Sequence, residues 1–255
     1  MKLQNMTALV GVELKKLYRD PMTLVIMILM PVALALIFYF ALSGITNDYY
    51  PYPGMTHFEY LLPGVMGYAV IYMGMMVALA LVEYRQAGLI KRVSTTPVSP
   101  TAYLGSHIIA NAIIATLQGF IVLLVARLTG YIPQGGLPGL LLSGLFLALL
   151  GVSAVGLGMI TASVSKTTGA AGGLATIYIV PMMMFGALLA VFNEATLAIA
   201  KFMPNFYLSE PLMIILQGGD LSHPLVWKDL LILAVISVVL AVAGIQIFSR
   251  TAKRI

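Results

Sequence analysis

The chain contains no cysteine. Disulfides and thiolate chemistry are therefore excluded, and cysteine usage leaves the redox compartment undefined. Charge is nearly as scarce. Only 9% of the 255 residues are Asp, Glu, Lys or Arg, against about 25% in a soluble domain. So few charges cannot cover a water-facing surface. With 60% apolar residues and a mean hydropathy of +1.00, most of the medium around this chain must be lipid. The net charge of +5 is then no nucleic-acid signal; what matters is where the bases lie relative to a bilayer.

Signatures of chemistry are missing as well. Ser165-Lys166-Thr167 has the ending of a phosphate-binding loop, but Ile160 and Ser165 stand where that pattern needs glycine, so no Gly-lined anion cradle exists. A polar turn between two spans accounts for the triplet. His57, His107 and His223 share no metal-ligand spacing with each other or with carboxylates. Neither a G-x-S-x-G elbow nor an H-E-x-x-H pair occurs. We expect no catalytic residue and no metal site. A proton- or ion-driven carrier needs a buried ionisable relay; Glu83 and Arg127 sit near span ends, within reach of the interface. Energy for any transport must come from elsewhere.

What is abundant is long apolar sequence. A span needs about 20 mostly apolar residues, and six stretches qualify: Met22–Leu42, Tyr60–Val82, Tyr103–Leu128, Leu137–Ser163, Ala170–Phe192 and Leu225–Phe248. The first is too long for a signal-peptide core, and Glu13 and Asp20 precede it. Residues 194–220 are apolar in two pieces, Ala195–Met203 and Phe206–Leu216, with Pro204 between them. Each is too short to cross, and proline breaks their continuity. They read as two short helices of a re-entrant or capping element on the outer face, tolerated where protein covers it.

Charge supports this count. With both termini in the cytoplasm, Lys2, Lys15, Lys16, Arg19, Arg85, Lys91, Arg92, Lys166, Arg250, Lys253 and Arg254 lie inside, which is 11 of the 14 basic residues. A seventh span through 194–220 would move the last three outside, against the positive-inside rule. Residues 1–20 form a separate element. Leu3, Met6, Val10, Leu14 and Leu17 recur at helical spacing with the bases mostly off that stripe, the pattern of an amphipathic helix in the inner interface.

Residues 83–100, EYRQAGLIKRVSTTPVSP, interrupt the apolar chain on the inner side. From Glu83 to about Val93 a short amphipathic helix is expected, with Gly88 a weak point. Thr96 and Ser99 each precede proline and favour extended backbone. Ser99-Pro100 then supplies a cap and a first-position proline for the third span.

Leu62-Pro63-Gly64, a whole span, then Glu83, Arg85, Gly88, Lys91, Arg92 and Thr96-Pro97-Val98-Ser99 resemble the central signature of ABC-2 type transporter permeases, the membrane subunits of ABC exporters. Gly88-Leu89-Ile90 stands for the family's Gly-Thr-Leu-like triplet and Val98 for its Leu. The resemblance extends to the N-terminal helix, the six spans and the broken outer segment with Pro204 and Tyr207. It implies an all-α integral membrane protein of the cytoplasmic membrane: an interfacial helix (1–20), then an ABC-2 transmembrane domain (21–255).

The resemblance further implies that the 83–98 stretch is a coupling helix fitting a cleft on a separate ATPase subunit. Its expected contacts are Glu83, Arg85, Gly88, Leu89, Lys91, Arg92, Thr96 and Pro97, joined by Glu13 and Lys16 of the N-terminal helix. Two ATPase copies and a homodimer or heterodimer of permeases would make the exporter. ATP and Mg would bind the partner subunit, and this chain would hold no cofactor. The pathway would run between permeases along the second and fifth spans. Expected lining residues are Tyr68, Tyr72 and Met75, which share a helical face, with Tyr178, Met182, Met183 and Phe185. Gly169 and Gly173 form a small-xxx-small pair suited to dimer packing. Apolar lining with a few hydroxyls favours a hydrophobic or amphipathic drug or lipid, and length and turn lie closest to the drug-resistance branch. A polysaccharide or glycolipid exporter subunit of the same plan and a secondary transporter are the alternatives.

Overall fold

The computed structural model describes residues 3–46, 50–89, 99–185 and 194–252. All regular structure among them is helical apart from one isolated bridge, Thr46 to Thr56. In chain order the helices are α1 (Leu3–Arg19), α2 (Pro21–Leu42), α3 (His57–Gln86), α4 (Pro100–Leu128), α5 (Gly136–Val164), α6 (Thr168–Met183), α7 (Glu194–Ala200), α8 (Phe206–Leu216) and α9 (Pro224–Ala252). Their starts are set by local chemistry. Asp20 accepts from the Thr23 amide at 3.1 Å with Pro21 behind it. Thr56 and Glu59 exchange side-chain bonds to each other's amides, a full capping box. Ser99 accepts from the Ala102 amide, with Pro100 at the first helical position, and Thr167 accepts from the Ala170 amide.

Helices α2, α3, α4, α5 and α9 are each long and apolar enough to cross a membrane. The expected fifth span corresponds to α6, of 16 residues, about 24 Å at ~1.5 Å per residue. Met184 and Phe185 continue it as a widened turn, and residues 186–193 lie outside the described residues.

Helix α3 is the centre of the bundle. It packs against α2, α4, α5, α6 and α8, and Leu62, Met66, Ile71, Met73 and Leu81 are fully buried. Helix α5 is the second hub, meeting α3, α4 and α9. Glycine makes these crossings close. A Cβ on Gly74 would stand 2.6 Å from the Ala154 carbonyl oxygen, and one on Gly156 2.6 Å from that of Leu240. Small residues let helices approach where no hydrophobic effect drives them together. On the α5–α9 seam the Ser237 hydroxyl, 2.7 Å from the Leu149 carbonyl oxygen and 2.6 Å from that of Leu233, donates its one proton between them. Its proton being engaged, Ser153 donates to Ser237 at 2.9 Å. Helices α2 and α9 turn most of their surface outward, with Leu29, Phe40, Leu231 and Val238 exposed. In a bilayer these are lipid contacts.

The expected pair of short helices is present as α7 and α8, with Pro204 in the turn between them. Protein covers α8: it packs on α3, α5 and α9, burying Phe206, Leu208, Leu212 and Ile215. The Leu216 carbonyl at its end accepts from the Gln134 amide at 2.8 Å and from Tyr131 Oη at 3.2 Å, which satisfies an orphan helix terminus. Asn205 is wholly buried, its amide against the Cα of Gly67, where no Cβ would fit.

Candidate transport and coupling sites

The stretch after α3 is built differently from expectation. Glu83, Tyr84, Arg85 and Gln86 are the last turn of α3 rather than the start of a new helix. The Ala87 amide bonds back to the Glu83 carbonyl at 2.8 Å, and Gly88 takes φ +71°. That left-handed conformation ends the helix, and it favours glycine. The helix expected from Glu83 to about Val93 is therefore broken at Gly88. Among the described residues nothing lies within 4 Å of a Cβ placed on Gly88. Glu83 and Leu89 are exposed. Lys91, Arg92, Thr96 and Pro97 lie outside the described residues.

Arg85 is engaged within the chain. Its guanidinium donates to the carbonyls of Ala162, at 3.0 Å, and Ser165, and Gln86 donates to that of Lys166 at 3.0 Å. These are the free carbonyls at the C-terminus of α5, where a cation is favoured by the helix dipole. Arg85 thus clips the end of α3 to the α5–α6 turn.

Glu13 and Lys16 sit on α1, which packs on α4 and α2. Glu13 faces inward and is only 8% exposed. Lys16 Nζ donates to Glu13 Oε1 at 3.0 Å and stands 4.5 Å above the Tyr84 ring. Glu13 Oε2 lies 3.2 Å from Nδ1 of the buried His107 on α4, close but without the alignment of a hydrogen bond. Tyr103 stacks on the imidazole at 6.1 Å between centroids. Burial pushes the Glu13 carboxyl up, but His107 and Lys16 together outweigh it and hold the group below its ordinary value. This buried cluster is absent from a reading by spacing. One signal was available: Glu13 falls on the apolar stripe of α1, between Val10 and Leu14.

The expected pathway residues fall largely in one seam. Helices α3 and α6 pack together, and Tyr68, Met75 and Tyr178 join the apolar cluster that includes Met182. The Tyr68 and Tyr72 rings are 6.3 Å apart, with Tyr72 almost fully buried. The Tyr178 hydroxyl stands 3.2 Å from a Cβ placed on Gly74. Met183 is half-buried at the end of α6, and Phe185 follows in the widened turn. On the opposite side α6 is open. Gly169 and Gly173 are exposed, and among the described residues nothing lies within 4 Å of a Cβ on either. Ile177 and Val180 are exposed on the same helix.

The family described as ABC-2 family transporter protein matches residues 45–245, a range that takes in α3 to α8 and most of α9. This chain belongs to the ABC-2 transporter family. No curated protein matches it. The chain is therefore a multi-pass membrane-transport component.

Proposed function

We propose that this chain is the permease subunit of an ATP-driven exporter. It crosses the cytoplasmic membrane six times with both termini in the cytoplasm. It pairs with a second permease through the open face of α6 at Gly169 and Gly173. Two copies of a separate ATPase bind below, at the residues that follow Gly88, with Leu89, Lys91, Arg92, Thr96 and Pro97 in contact. ATP and Mg belong to that partner. The substrate is a hydrophobic or amphipathic drug-like molecule or lipid that follows the Tyr68, Tyr72, Met75, Tyr178, Met182, Met183 and Phe185 side chains. Methionines and aromatics repack around variable apolar ligands.

The observation that carries this reading is the family match over 45–245. Glu13 and Arg85 act behind the docking surface rather than on it, since both are committed to contacts within the chain. They position α1 and the α5–α6 turn.

The test is co-purification. The full chain is expressed with a candidate ATPase, extracted in mild detergent and weighed by native mass spectrometry. A two-plus-two complex that loses the ATPase when Leu89, Lys91 and Arg92 are all replaced by serine is the expected result. A complex indifferent to that change sinks the docking role, and a chain that binds no ATPase sinks the exporter reading.

A further inference from the structure

Away from the α3–α6 seam lies a cleft between α1, α2, α3 and α4. It encloses about 140 Å³, close to the ~150 Å³ of a cavity that admits benzene. Its lining is of two kinds. Glu13, Lys16 and Asp20 supply charge, while Met27, Met73 and Met76 supply an apolar wall.

The charges do not cancel. With the His107 imidazole neutral, two carboxylates face one ammonium, so the lining carries a surplus negative charge. Lys16 is already held by Glu13 and the Tyr84 ring, and Asp20 by the amide and hydroxyl of Thr23. The unmet group is His107, which also lines the cleft. It is 3% exposed, and among the described residues its buried Nε2 has no hydrogen-bond partner. A proton on Nδ1, facing the Glu13 carboxylate, leaves a lone pair on Nε2. A buried acceptor of this kind calls for a donor. A water molecule would supply one but would answer neither the surplus charge nor the methionine wall. A carboxylate or phosphate with no ammonium of its own would meet Glu13 and Asp20 with uncompensated like charge.

We propose that this cleft binds an amphiphilic ammonium ion, its N–H donating to His107 Nε2 beside Glu13 and its apolar chain lying on Met27, Met73 and Met76. The head needs an N–H, so a quaternary choline group does not qualify. A primary amine on a single chain and the ethanolamine headgroup of a membrane lipid share the required chemistry. The inference is independent of whether the chain exports.

The probe is radiolabelled octylamine, measured by equilibrium dialysis against the full chain in phosphatidylcholine nanodiscs, with empty discs subtracted. Saturable binding at one site per chain is expected. Octanol and octanoate should bind about tenfold more weakly, the worth of one charge-assisted hydrogen bond. Met76→Trp fills the apolar wall without touching the Glu13–His107 contact and should cost at least about tenfold. Asp20→Asn keeps a capping oxygen for Thr23 while removing a charge, and should weaken binding by roughly threefold. Phosphatidylethanolamine added to the discs separates the sources: displacement of octylamine identifies the lipid headgroup as resident, and undiminished binding identifies a soluble amine. No saturable uptake over empty discs, equal binding of octanol, or indifference to Met76→Trp overturns the proposal.

Discussion

Replacing Gly156 by alanine tests whether backbone contact holds the bundle together. A Cβ there would stand 2.6 Å from both the carbonyl carbon and oxygen of Leu240 on α9. Backbone cannot rotate aside, so α5 and α9 must separate by about 0.8 Å to restore an ordinary 3.4 Å contact. One turn away Ser153 and Ser237 are 2.9 Å apart. The same separation stretches them to about 3.7 Å (2.9 plus 0.8), beyond hydrogen-bonding range. Overpacking costs roughly 1–3 kcal/mol, and the lost interhelical bond adds about 0.6 kcal/mol. Alanine regains about 1 kcal/mol of helix propensity over glycine. The net is a loss of roughly 0.6–2.6 kcal/mol. Gly172→Ala, on α6, is the matched control. A Cβ there would lie 3.7 Å from Leu79 Cδ2, an ordinary contact, so only the propensity gain of about 1 kcal/mol remains, with the opposite sign. Unfolding in mixed micelles titrated with dodecyl sulfate, followed by circular dichroism, reads both. If the two variants agree within about 0.5 kcal/mol, the size of an ordinary surface effect, the close crossing is not what stabilises α5 on α9.

Three further outcomes are expected. Gly88→Ala should loosen the end of α3 by about 1 kcal/mol, while Gly88→Asn, which tolerates φ near +71°, should cost less; amide exchange at residues 84–88 measures both. This pair also separates helix-end strain from loss of ATPase docking in any bulky Gly88 variant. Arg85→Gln should raise amide exchange around residues 162–166 and cost about 1–2 kcal/mol, since charge-assisted bonds to two carbonyls are lost at a half-exposed site. The Glu13 carboxyl is held below its ordinary value near 4.5. A depressed pKa contributes stability that is complete above the unfolded value and lost as pH falls through the folded one. Helix α1 should therefore stay docked above about pH 4.5 and loosen in stronger acid, and Glu13→Gln should abolish that dependence. A fluorophore on Val12→Cys reports it, because Val12 is exposed and the chain has no other cysteine.

Most of the frame was legible because lipid imposes it. Length and hydropathy alone locate α2, α3, α4, α5 and α9, since a crossing helix must satisfy its own backbone. Pro204 separates α7 from α8 for an equally local reason, and Ser99-Pro100 marks the start of α4. The 83–93 region was harder. Arg85 looked like a surface base because sequence cannot say that the α5 carbonyls of Ala162 and Ser165 lie beside it. With that anchor in place α3 extends through Gln86, and Gly88 becomes its terminator rather than a flaw inside a new helix. The Glu13–His107 contact was hidden in the same way. A scarcity of ionisable residues argued against a buried pair, yet scarcity makes each one on an apolar face more telling. Glu13 lies on the stripe that α1 buries and His107 inside a span. A carboxylate on a buried stripe requires a partner, and a histidine at membrane depth is by default a functional position. Each residue therefore specified the kind of neighbour it needed, and only the docking of α1 on α4 supplied which one.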